Sequence, residues 1–121
     1  MERMTNGYLL DTNIAIAIFM NEGNVVDFST ITECEVFAGL KPEEQLLAEK
    51  LFTTKRCIDI TSDIAKLAGT IRRDQKGKGR KLKTPDALII ATALASDLIL
   101  VSRDADMSFV QSELEVPLLK I

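Results

Sequence analysis

Apolar and polar positions alternate between two periods along this chain, and the order in which they do so predicts its architecture. Tyr8-Leu9-Leu10 is a short apolar run ending at Asp11, which predicts a buried strand. Thr12 to Met20 follows as a helix and is broken by Asn21-Glu22-Gly23-Asn24. Val25 to Ser29 predicts a second strand, Thr32 to Leu40 a helix, and Pro42 to Thr53 an amphipathic helix with Pro in its first turn. Arg56 to Ile60 alternates as a strand, and Thr61-Ser62-Asp63 starts a long helix reaching Asp74. Gln75 to Lys83 reads as a Gly-containing loop. Thr84-Pro85-Asp86 then opens a helix to Ser96, with Thr as N-cap and Pro just inside. Leu98 to Val101 is a strand, Asp104 to Val110 a short helix and Val116 to Leu119 the last strand. Strands alternating with helices over so short a chain imply an α/β fold with a parallel sheet covered on both faces. No repeat or linker divides residues 1–121, so they read as one domain.

Composition narrows the chemistry. The chain has no histidine, which excludes histidine-based triads, histidine general bases and His-containing zinc sites. Cys34 and Cys57 lack ligand spacing and read as buried thiols in a reducing cytosol. Met1 to Gly7 is no signal peptide, and Ala87 to Val101 is too short to span a bilayer and is interrupted by Asp97, so a cytoplasmic location is expected. The net charge of −3 argues against a uniformly nucleic-acid-binding surface, but it averages over a strong local asymmetry.

In open parallel sheets ligands sit beyond the carboxyl ends of the strands. Asp11 ends the first strand there, Asp104 and Asp106 follow Leu98 to Val101, and Glu35 and Asp86 lie in the early turns of helices expected to start at that edge. Converging carboxylates raise one another's pKa unless a divalent cation neutralises them, and oxygen-only donors suit Mg²⁺ or Mn²⁺. Each acid also has a plainer role when taken singly. Asp11 suits an N-cap, Thr32-x-x-Glu35 a capping box, Asp86 a helix macrodipole, and Asp104 and Asp106 a turn. Two positions stand out from that background. Asp86 shares a face with Ile89, Ile90 and Ala93 on a helix apolar nearly all round, so partial burial is expected. Glu35 shares a face with Ile31, Cys34 and Ala38, and is preferred over Glu33, which points away from it.

Taken together, these stretches resemble PIN domains, in particular the VapC-type toxin ribonucleases. The matching residues are Leu9-Leu10-Asp11-Thr12-Asn13, Ile31-Thr32-Glu33-Cys34-Glu35 with Gly39, Thr84-Pro85-Asp86 through Ala93, and Leu100-Val101-Ser102-Arg103-Asp104-Ala105-Asp106. The resemblance implies a three-layer α/β/α fold and a catalytic site of Asp11, Glu35, Asp86 and Asp104. It implies that Asp11, Asp86, Asp104 and Asp106 ligate Mg²⁺ or Mn²⁺, with Thr12 or Ser102 hydrogen-bonding within the site. It further implies metal-dependent hydrolysis of RNA, a homodimer, and inhibition by a cognate antitoxin. Only 24 positions separate Asp11 from Glu35, fewer than in typical members, so the fold is expected to be shortened between its first helix and second strand.

Arg72 to Lys83 carries seven basic residues and one acid, Asp74. It reads either as a solvated loop kept mobile by Gly77 and Gly79, or as a phosphate grip in which Lys76, Lys78, Arg80 and Lys81 bind RNA. Three other readings compete with the nuclease. The strongest is a degenerate PIN domain that binds RNA or a protein partner without cutting. An aspartyl phosphatase lacks its second Asp two positions after Asp11, and a receiver domain lacks its N-terminal acidic pair.

Overall fold

The computed structural model describes residues 8–10, 26–54, 56–102, 107 and 109–120. Five strands, β1 (Tyr8–Leu10), β2 (Val26–Ser29), β3 (Arg56–Ile58), β4 (Ile99–Ser102) and β5 (Leu118–Lys120), form one sheet in the order β3-β2-β1-β4-β5. Every pairing is parallel. The helices are α1 (Thr30–Ala38), α2 (Gln45–Thr54), α3 (Ser62–Gly77), α4 (Thr84–Ser96) and α5 (Phe109–Leu114), with a 3-10 turn at Pro42–Glu44 before α2. The expected helix at Thr12 to Met20 and the shortened connection after it lie outside the described residues.

The period-2 alternation of the strands sorts their side chains onto two cores. Leu9 and Leu100, paired across β1 and β4, face a core shared with Ile64, Ala68 and Ile71 of α3 and with Ala87, Ile90 and Ala91 of α4. Their neighbours Tyr8 and Val101 face a second core with Phe28, Val36 of α1 and Phe52 of α2. The Phe28 and Phe52 rings meet at 5.2 Å, tilted by 60°. A sheet covered on both faces is therefore what the apolar strand runs required.

Local boundaries differ from expectation where side chains outside the local pattern intervene. Helix α3 continues through Gln75 to Gly77, past the expected loop start, because Ile64, Ala68, Ile71 and Gln75 fall on one buried face. The helix expected at Asp104 to Val110 is described only from Phe109, and runs to Leu114. Neither cysteine is fully buried: Cys34 is exposed and Cys57 half-buried. Burial, helped by the negative field of Glu33, Asp59 and Asp27, pushes the Cys57 thiol up to about 11, which keeps it protonated and unreactive near neutrality. No helix among the described residues is long and apolar enough to cross a membrane.

Candidate active site

The strand order fixes where a ligand can enter. In a parallel sheet ordered 3-2-1-4-5 the chain reverses its direction of travel between β1 and β4, and the crevice opens beyond their carboxyl ends. Strand β1 ends at Leu10, immediately before Asp11, and β4 ends at Ser102, two positions before Asp104. Asp11, Thr12, Asp104 and Asp106 lie outside the described residues. Ser102 is wholly buried at the end of its strand.

Helix α1 starts at the same edge, directly after β2. Ser29, not Thr32, is its N-cap: the Ser29 hydroxyl accepts the Ile31 N–H at 3.2 Å. Thr32 is instead fully buried with Val36, so the core-facing stripe passes through these two residues. The face expected to be apolar is split: Ile31 is half-buried against the first core, while Cys34, Glu35 and Ala38 are exposed. Glu33 is half-buried on the side of β3, where its charge reaches the Cys57 thiol. The two glutamates thus diverge, as a two-residue separation on a helix dictates.

Helix α4 brings Asp86 to that edge from the other side. Its first residue is Thr84, with Lys83 as an N-cap that makes no side-chain bond, so Pro85 and Asp86 sit one position deeper than expected. Asp86 is half-buried, while Ile89, Ile90 and Ala93 on its face are buried. At the far end, Asp97 adopts the left-handed conformation (φ 54°) and Leu98 leads straight into β4. So tight a turn folds α4 back along β4, which carries the helix N-terminus, and Asp86 with it, to the carboxyl end of the sheet. Helix α1 packs on α4 there. Among the described residues no three acids or thiols stand close enough together to hold a metal ion.

The basic segment between α3 and α4 is tied down. The Arg80 N–H donates to the Gln75 carbonyl at 2.8 Å, and its guanidinium donates to the Gln75 side chain, which is 1% exposed. Gly79 takes the positive φ (79°) that this tight turn needs. Arg80 also lies 4.3 Å over the Phe109 ring and donates to Glu113 at 3.0 Å, while Lys78 reaches the other Glu113 oxygen at 2.6 Å. Arg72 Nε donates to the Leu82 carbonyl at 2.9 Å. Lys78 and Arg80 are therefore engaged by α5, whereas Lys76 and Lys81 are exposed.

Hydrogen bonds from Lys78, then from Arg80, hold the Glu113 carboxyl below its ordinary value. A depressed folded-state value contributes stability above the ordinary carboxylate range, and that contribution vanishes as pH falls through the folded value. The stability gap between wild type and Glu113→Gln should therefore be constant near neutrality, close in acid, and shrink with added salt. A gap that persists below the carboxylate range would refute the clamp.

A further ion pair was not anticipated from the sequence pattern. Asp27, 2% exposed in the middle of the sheet, accepts from Arg56 of β3 at 2.5 Å. A charged residue inside an otherwise apolar strand run was the one available signal.

Known proteins resemble this arrangement. The PIN domain family model matches residues 8–112. Ribonuclease VapC19 of Mycobacterium tuberculosis is 28% identical, the match covering 78% of this chain and 86% of the relative. Among solved structures, a toxin-antitoxin complex from Klebsiella pneumoniae contains a chain 32% identical, with a TM-score of 0.69 over 84% of this chain and 90% of that one. DNA-bound VapBC from Salmonella typhimurium shares the fold at a TM-score of 0.77 and 22% identity, over 97% of this chain and 98% of that one.

Proposed function

This chain belongs to the PIN domain family, and from that membership we propose that it is a divalent-metal-dependent endoribonuclease, the toxin of a toxin–antitoxin pair acting in the cytoplasm. Asp11, Glu35, Asp86 and Asp104 form the site, with Asp106 as a further ligand and Thr12 and Ser102 as hydrogen-bonding neighbours. The observation that carries the reading is topological: β1 and β4 flank the crevice of the sheet and end one and two positions before Asp11 and Asp104 in the chain, and α1 and α4 start at the same edge. The donor set is compatible with Mg²⁺ or Mn²⁺, since every candidate is an oxygen donor and the chain has no histidine. The metal, when bound, supplies an activated water and stabilises charge developing on a phosphoryl oxygen. The protein's own part is to bring the carboxylates to one edge of the sheet and to grip the RNA through the basic segment ahead of α4. A cognate antitoxin protein is the expected inhibitor, and a homodimer the expected assembly.

The test is incubation of the purified chain with labelled RNAs in Mn²⁺, in Mg²⁺ and in chelator, beside a melting scan with and without Mn²⁺. Cleavage only with metal is expected, together with a higher melting temperature in Mn²⁺, because the ligands converge only on folding. Absence of both would transfer support to the non-catalytic RNA- or partner-binding alternative.

A further inference from the structure

Resting on the ribonuclease reading, we propose that the groove between α3 and the returning segment before α4 is a phosphate track that holds RNA away from the bond being cut. The groove is open and encloses about 770 Å³; five cations, Arg72, Arg73, Lys76, Arg80 and Lys81, line it with Leu82 as its apolar floor, and no acid is among its lining residues. A chain with a net charge of −3 has thus concentrated positive charge along both walls of one groove.

The groove is built rather than incidental. The Arg72–Leu82 and Arg80–Gln75 bonds hold its two walls at fixed spacing, and Gly79 turns the chain between them. Arg80 is paired with Glu113, which it shares with Lys78, and serves as a strut. Arg72 uses Nε on Leu82, which leaves the terminal nitrogens of its fork for another acceptor. Arg73, Lys76 and Lys81 are exposed and make no ion pair among the described residues. No side chain fills the space at Gly69 on the α3 wall, so a ligand backbone can approach the helix there.

The lining selects the ligand class. Protein interfaces gain most from apolar and aromatic anchors in desolvated pockets, and this groove offers only Leu82. Among its lining residues there is no aromatic ring on which a base could stack. Cations without anchors or stacking platforms suit a regular chain of phosphates, gripped without regard to base sequence.

Location gives the groove its role. Helix α3 begins four residues after β3 ends, hence at the carboxyl edge of the sheet. Gly69 to Lys76 therefore lies roughly 10 to 21 Å along the helix from that edge, at 1.5 Å per residue. Phosphates held there belong to nucleotides flanking the reacting one, so they raise affinity for longer RNA without entering the chemistry.

The triple variant Arg73→Gln, Lys76→Gln, Lys81→Gln tests this, since exposed side chains can be changed with the fold retained. Binding of fluorescent single-stranded RNA is measured in chelator at two salt concentrations, with a polyglutamate peptide as competitor. Removing three phosphate contacts is expected to lower low-salt affinity by about tenfold or more and to flatten the log–log salt slope by about 2. Long RNA should be cut more slowly in metal, and the loss should shrink as the substrate is shortened and spans fewer of these contacts. An unchanged salt slope overturns the proposal. So does loss of polyglutamate binding with RNA binding intact, which would assign the groove to an acidic protein partner. Because the binding arm needs no turnover, groove-dependent binding without any cleavage would remove the ribonuclease reading and leave the track. Cleavage with unaltered binding would do the reverse.

Discussion

Asp86→Asn is expected to lower metal-dependent RNA cleavage by roughly 10³-fold, equivalent to several kcal/mol of lost transition-state stabilisation at a metal-holding carboxylate. The fold should survive. Asn matches Asp in shape, and the carboxylate is held by the rigid frame of α4, whose Ile89, Ile90 and Ala93 stay buried whatever the charge at the helix start. Two small effects on stability oppose each other. Losing an acid near the N-terminus forfeits about 0.3–1 kcal/mol of macrodipole interaction, while removing one of several converging carboxylates relieves repulsion in the metal-free protein. The metal-free melting temperature should therefore move little or rise, and stabilisation by Mn²⁺ should be lost. Glu33→Gln is the matched control: Glu33 faces β3 and Cys57, so cleavage should be retained, whereas Glu35→Gln should resemble Asp86→Asn. Full activity of Asp86→Asn would sink the assignment of the site.

The largest effect on stability is expected from Arg56→Met. The substitution keeps an apolar stem over the sheet but strands Asp27, a carboxylate only 2% exposed, without its 2.5 Å partner. Stranding one member of a fully buried pair costs about 3–5 kcal/mol. Arg56 is itself 63% exposed, so water can replace part of what it gives and the expected cost falls to about 2–3 kcal/mol. For a domain of this size that lowers the melting temperature by roughly 10 °C. The second substitution Asp27→Asn in the Arg56→Met background removes the stranded charge and should restore more than half of the loss, which a double-mutant cycle reads directly. Equal stability of Arg56→Met and wild type would mean that Asp27 is satisfied by other means. Cleavage should be unaffected at permissive temperature in both variants, because Asp27 pairs with Leu9 in the body of the sheet and not at its carboxyl edge.

The sequence alone determined the alternation of strands and helices, because periodicity is a local property: Tyr8-Leu9-Leu10 and Leu98 to Val101 read as buried strands, and Pro85 marked the first turn of α4 to within one residue. It also supplied the candidate oxygen donors, their order, and the family they resemble. Only the tertiary structure decided the strand order β3-β2-β1-β4-β5, and with it the crevice between β1 and β4, because pairing joins segments far apart in the chain. It decided that Ser29 caps α1 while Thr32 turns inward, against the capping-box spacing of Thr32 with Glu35, because packing against the core claims the Thr32 side chain. It turned the basic segment from a solvated loop into the wall of a groove through Glu113, more than thirty positions away from Lys78 and Arg80. Asp27 with Arg56, 29 positions apart, follows the same logic. A charge announces that it needs a partner, but the partner is chosen by how the strands and helices come together in space, and no window read along the chain contains both.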